Sequence, residues 1–300
     1  ENVATDWPLM HSGRIAVPGP GLIVFEATAV EKRGRVSLYD IGLWNDAQQE
    51  GLARVIRFCR QHGPAVKLGV QLAHAGRKGS TTEPWTGAQF AGEDQGGCTP
   101  ISPGDIAYPG RPAPRMLGHD ELAEVKGHFV ASTRRAEALG FDLIEVHIAH
   151  GYFLHSFLSP LSNNRNDEYG GDRAGRMRYP LEVFAAMRAA WPADKPMGVR
   201  VSATDWMEGG WTLDDCVAFC EALKPLGVDY ICASSGGSHP DQKIDLGPGY
   251  QVPMARRIRE ATGLPTMAVG LINEPQQAEQ ALRDGAADMI ALGRGMTYDP

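Results

Sequence analysis

The sequence predicts an α/β protein organised as a (β/α)8 barrel, and three observations predict it. Short apolar runs alternate with helical patterns along the whole chain. Most of those helices end in a glycine just before the next run. No GxGxxG or GxxxxGKS/T loop follows the first run, where a doubly wound sheet would normally carry one. Near-continuous apolar strands separated by helices indicate parallel strands covered by helices. Seven such units without a composition break fit a single barrel domain over residues 1–300, with one unit missing.

Taken in order, residues 1–20 read as the end of a βα loop plus a short helix with no strand before it. The predicted strands are GLIVFEATAV (21–30), VKLGVQLAH (66–74), FDLIEVHIAH (141–150), MGVRVSA (197–203), VDYICASS (228–235), PTMAVGLI (265–272) and ADMIALGR (287–294). The helices before them close with RFCRQHG, TRRAEALG, CEALKPLG, IREATG and ALRDG, where glycine supplies a left-handed turn cheaply. A Gly- and Pro-rich insertion, residues 80–117, follows the third strand of the full barrel and reads as a loop over the active face. The chain stops soon after the last run, with no closing helix expected. A barrel without its first strand and last helix leaves two unpaired edges, so the chain reads as a fragment of a longer protein.

Composition narrows the class. With 43% hydrophobic and 22% charged residues, the chain can bury a sizeable core. A net charge of −7 gives no attraction to phosphate backbones or anionic bilayers, so nucleic acid is a poor partner. No run approaches the roughly 20 apolar residues of a membrane span, and no signal peptide opens the chain. The five cysteines form no CxxC pair, and an odd count without a framework fits a reducing cytoplasm.

Active sites of these barrels lie at the C-terminal strand ends. That rule singles out Ala27, Gln71, His74, His147, His150, Arg200, Gly270, Gly293 and Arg294. Gly270, Gly293 and Arg294 fit a phosphate cradle, or else they merely end strands at the surface. Arg200 within VRVSA calls for a partner or a ligand anion, since an unpaired guanidinium among apolar residues is costly. Gln71 can both donate to and accept from a heterocycle. A flat ring with carbonyls, an anionic edge and a phosphate tail satisfies this set, which describes flavin mononucleotide.

The stretch EVHIAHGYFLHSFLSP (145–160) raises a rival reading, a metal site. On a strand Glu145 and His147 share a face, but His150 falls past the strand end. No second acidic or histidine cluster ends another strand, so no metal is expected. No GxSxG turn supplies a nucleophile. His155 and His74 read as structural.

FEATAV (25–30), QLAHAGRK (71–78), HIAHGYFLHSFLSPLSNNRNDEYGG (147–171), VRVSA (199–203), MAVGLI (267–272) and LGR (292–294) occur in an order that resembles the Old Yellow Enzyme family. The match is closest to its thermophilic-like, xenobiotic-reductase branch. The resemblance implies an FMN-dependent, NADPH- or NADH-using ene reductase, a cytoplasmic homo-oligomer acting on small enones or enals, with nitro compounds as further substrates. It implies FMN contacts from Ala27, Gln71, Arg200, Gly270, Gly293 and Arg294, with Arg200 favouring the anionic reduced flavin. His147 and His150 would hydrogen-bond the substrate oxygen, and Tyr152 would occupy the proton-donor position. The family's first-strand Ser/Thr-Pro-Met-Cys segment is absent, VPGPG (17–21) replaces the usual VGGAG, and AGR (174–176) stands where an Asn often precedes the Arg. The alternatives are a dienoyl-CoA-reductase-type flavoenzyme, which shares HxxHGY and YGG, and a non-catalytic flavin-binding fragment.

Overall fold

Parallel pairing organises the chain, described over residues 2–299 in a computed structural model. After helix α1 (Asp6–Ala16) come β1 (Leu22–Ala29), α2 (Asp46–His62) and β2 (Lys67–Ala73). Two short strands, β3 (Ile101–Ser102) and β4 (Arg115–Met116), pair within the long loop that leads to α3 (His119–Ala138). Then follow β5 (Leu143–Ile148), α4 (Phe153–Leu158), α5 (Arg173–Ala190), β6 (Met197–Ser202), α6 (Leu213–Leu223) and β7 (Tyr230–Ser234). The last elements are α7 (Val252–Thr262), β8 (Thr266–Ala268), α8 (Pro275–Arg283), β9 (Met289–Ile290) and α9 (Arg294–Tyr298).

Seven of these strands form one sheet in the order β1-β2-β5-β6-β7-β8-β9, every pair parallel. This is the predicted α/β arrangement of the (β/α)8 barrel. Period-two alternation then sorts the side chains. Leu68, Val70, Leu72, Ile144, Val146, Ile148, Val199, Val201 and Ile231 face the helices and pack with Leu52, Val55, Val125, Phe129, Phe184, Phe219 and Ile258. Each such burial contributes about 1.5–3 kcal/mol. A smaller apolar set, Leu143, Tyr230, Cys232 and Met267 with Leu22, Val24, Val269 and Met289, occupies the opposite face, the lumen. Residues in the same alternation as that set, including Gln71, Glu145, His147 and Arg200, belong to the lumen side.

Helix ends follow local chemistry. Asn45 accepts a hydrogen bond from the Gln48 amide at 3.0 Å, and Asp172 accepts one from Gly175 at 2.8 Å. Such caps are each worth about 1 kcal/mol. Gly140, Gly227, Gly263 and Gly285 take the expected left-handed conformation, with φ of 76°, 83°, 68° and 62°. Gly63 does not, at φ −131°; a Cβ there would stand 2.4 Å from the Ala16 oxygen, so glycine serves close packing of α2 on α1 instead.

Two expectations about the end of the chain need correcting. The runs 265–272 and 287–294 yield only the short strands β8 and β9, so Gly270, Gly293 and Arg294 lie beyond the ladder rather than at its last rung. A short helix, α9, does follow the last strand, and Gly293 is its N-cap residue. Pairing sets the strand length here: β9 joins the sheet through β8 alone, in two register pairs. Among the described residues no helix is long and apolar enough to cross a membrane.

Candidate active site

His147 lies in β5, paired in register with Arg200 on β6. Its Nδ1 accepts the Ala149 amide hydrogen at 3.2 Å. In the neutral ring the hydrogen therefore sits on Nε2, which has no partner among the described residues. Burial, then the charge of Arg200, hold this imidazole well below its ordinary pKa, so it is neutral.

His150 follows the strand in a left-handed backbone conformation, φ 61°, with Gly151 beside it at φ 71°. A non-glycine residue in this region stores strain unless neighbours hold it there. Its amide donates to Ser202 Oγ at 2.8 Å, and its carbonyl accepts from Lys78 Nζ at 2.8 Å. The same ammonium donates to the Gly237 carbonyl at 2.7 Å, tying the loop after β7 to the loop after β5. Burial, then His147 and Arg200, keep His150 neutral as well. Its Nε2 meets the Ser234 hydroxyl at 2.8 Å, and the two histidine rings stand 5.1 Å apart, nearly perpendicular.

Tyr152 completes this mouth, its ring 5.2 Å from His147 and 5.0 Å from Lys78 Nζ. Burial, then the Asp40 charge, push its hydroxyl up to about 12, so it is a neutral phenol with its proton in place. Tyr108 of the long loop lies against Lys78 at 4.9 Å and Arg77 at 5.8 Å, which brings that loop to the mouth. Burial, then the charges of Arg77 and Arg111, lower Lys78 to about 8.

Below the histidines a cavity of about 790 Å³ opens in the lumen between β1 and β9, lined among others by Gln71, Glu145, Arg200, Cys232 and Gly293. Gln71 Nε2 donates to Glu145 Oε1 at 2.7 Å, while Tyr230 donates to Oε2 at 3.2 Å. The amide oxygen of Gln71 is left without a partner among the described residues. Arg200 is half-buried and its buried Nε has no hydrogen-bond partner. An acceptor beside an unpartnered guanidinium fits a flat heterocycle that offers an N–H next to carbonyl oxygens.

The structure thus gathers His147, His150 and Tyr152 at the mouth, and Gln71 and Arg200 in the cavity beneath. The other candidates lie around the rim. Ala27 is half-buried at a bulge of β1, and Gly270, at φ 115°, has no room for a side chain, since a Cβ there would stand 2.5 Å from Gln251 Nε2. Gly293 lines the cavity, whereas Arg294 is exposed. His155 is fully buried and accepts the Gly151 amide at 2.9 Å; His74 pairs with Glu31 at 3.0 Å. Both support the backbone of neighbouring segments. Sequence reasoning passed over Lys78, Ser202, Ser234, Tyr230 and the non-metal use of Glu145. Only Lys78 carried a signal, as the last residue of QLAHAGRK. On the surface, His119, Asp167 and Glu168 bring ligand atoms within 4.8 Å of one another, but Arg165 already engages Asp167 at 2.9 Å.

The parallel barrel, with a polar lumen beneath a histidine mouth, belongs to the barrel flavoenzymes, the FMN-binding, NAD(P)H-dependent oxidoreductases. The chain belongs to the NADH:flavin oxidoreductase / NADH oxidase family, whose sequence model matches residues 1–300. It is 40% identical over 319 residues to an NADH:flavin oxidoreductase of Gibberella zeae, covering 100% of this chain and 76% of that protein. It is 41% identical over 295 residues to an NADPH dehydrogenase of Geobacillus thermodenitrificans, covering 98% and 81%. Among solved structures it is similar to morphinone reductase, with a TM-score of 0.80 at 25% identity over 98% of this chain and 78% of that one. The Old Yellow Enzyme resemblance of its motifs and the expected FMN cofactor are borne out.

Proposed function

We propose that this chain is an ene reductase: it takes hydride from NADPH or NADH and delivers it to the β-carbon of a small enone or enal. The observation that carries the reading is the pair of neutral imidazoles, His147 and His150, beside a neutral Tyr152, with His147 in register next to Arg200. Gln71 and Arg200 would hold the FMN ring edge, with Gly270, Gly293 and Arg294 toward the phosphate and Ala27 along β1. Bound FMN supplies the hydride-transfer chemistry that no side chain provides.

The protein's own part is orientation, polarisation and proton supply. His147 offers Nε2–H to the carbonyl oxygen of the substrate and stabilises the charge that gathers there as hydride reaches the β-carbon. His150 adds a second donor, whose hydrogen a substrate oxygen takes over from Ser234. Neutral donors avoid quenching a reduced cofactor's negative charge by proton transfer. Tyr152, holding its proton, would protonate the α-carbon.

The test uses the purified protein loaded with FMN. It should be yellow and should oxidise NADPH or NADH faster when 2-cyclohexenone is added, with the saturated ketone as product. Replacing both histidines by alanine should leave flavin bound, abolish the charge-transfer absorbance of bound phenols, and cut enone reduction by about 10²–10³. A colourless protein that takes up no FMN, or a double variant with full activity, removes the reading.

A further inference from the structure

Glu145 is a buried carboxyl that the reaction above leaves without a task. It is 2% exposed, lies in β5 two residues before His147, and faces the cavity rather than the helices. Its two oxygens take hydrogen bonds from different strands, Gln71 on β2 at 2.7 Å and Tyr230 on β7 at 3.2 Å. Arg200, on β6 between β5 and β7, is close enough to act on its charge. An acidic group with such partners is expensive to bury. A packing role alone would be met by leucine at no such cost.

We propose that Glu145 is a positioning residue for the cofactor: it fixes the orientation of the Gln71 amide and places a carboxyl behind Arg200, thereby setting flavin affinity and reduction potential. The inference rests on the placement of FMN against Gln71 and Arg200 proposed above. The steps are direct. By receiving an amide hydrogen, Glu145 turns the Gln71 oxygen into the cavity, so that Gln71 acts as an acceptor. Were the amide free to flip, its NH2 group would confront whatever N–H the ligand presents. In its ionised form Glu145 offsets part of the Arg200 charge, which otherwise acts in full on the electron density of a reduced ring. Burial, the largest effect, pushes the carboxyl pKa up, and Arg200, Gln71 and Tyr230 offset part of that shift.

The experiment is a dye-coupled reduction titration and an FMN binding titration of the wild-type protein and Glu145→Gln, with no enone present. The variant keeps the volume and loses the charge. Its potential should become more positive and FMN should bind about tenfold more weakly, the loss expected of one charge-assisted hydrogen bond. A merely structural residue would change the melting temperature and leave the potential where it was. If Glu145→Gln does not fold, Tyr230→Phe removes a hydrogen bond that favours the ionised carboxyl, shifts Glu145 further toward its neutral form, and should move the potential in the same direction by less. An unchanged potential and unchanged FMN affinity in the folded variant overturn the proposal while leaving ene reduction untouched. If wild-type protein binds no FMN, the cofactor placement falls and this inference falls with it. Loss of enone reduction with a shifted potential leaves the inference standing.

Discussion

At the scale of single residues, protonation state decides what the mouth can do. His147 and His150 are buried, and burial together with Arg200 keeps both neutral. Phenol affinity should therefore stay flat from about pH 5.5 to 7, across the range where an unperturbed histidine would titrate and below the Lys78 transition near 8. A break near pH 6.5 in a spectroscopic binding titration would show that a histidine charges. Lys78 differs, since burial lowers it to about 8 and its ammonium grips the carbonyls of His150 and Gly237. Lys78→Met should weaken phenol binding by about tenfold, the loss of a charged hydrogen bond, and raise KM for the enone more than it lowers kcat. Equal affinity in variant and wild type would show that His150 holds its strained backbone without the lysine.

At the scale of elements, the loops after β2, β5 and β7 act as one unit. Gly237 has φ 93°, and a Cβ there would stand 2.5 Å from the His150 Cα. Gly237→Ala should cost about 1–3 kcal/mol of stability and displace His150, which urea unfolding and phenol titration would reveal together. A variant as stable as wild type would mean the loop can retreat. The junction of β1 and β2 depends on Glu31, which bonds His74 at 3.0 Å and Arg33 at 2.7 Å. Burial raises the Glu31 pKa, but the bonds and charges of His74 and Arg33 outweigh it and hold the carboxyl at about 2. Because the folded pKa lies below the unfolded 4.5, this contribution is complete above pH 4.5 and is lost as pH falls toward 2. It amounts to about 3 kcal/mol. Glu31→Gln should flatten the acid limb of the stability profile, followed by circular dichroism.

At the scale of the whole molecule, FMN held as proposed would bridge β2, β6 and the rim beyond β8 and β9, and so join both halves of the sheet. FMN at about 100 times its Kd should stabilise the fold by about 2.7 kcal/mol, provided the unfolded chain does not bind it. Differential scanning fluorimetry with and without FMN would register a higher Tm; no shift at saturating FMN would mean that the cavity is not its site. The ring and phosphate contacts proposed above would come from strands that are not hydrogen-bonded to each other, so binding would couple them.

The sequence by itself determined the parallel barrel and the strands that carry its chemistry, because apolar periodicity and helix-ending glycines are local signals. It also separated His147 and His150 from His155, since strand alternation and the break after Ile148 are readable along the chain. Gly63 shows the limit: the residue type was right for a left-handed turn, but packing on Ala16, 47 residues away, is what demands glycine there. Only the tertiary structure decided that Lys78 ties two distant loops, that Gln71 turns its amide nitrogen toward Glu145, and that Arg200 is left without a bond at its buried Nε. Those facts depend on hydrogen-bond directions between strands far apart in sequence, which no local pattern encodes.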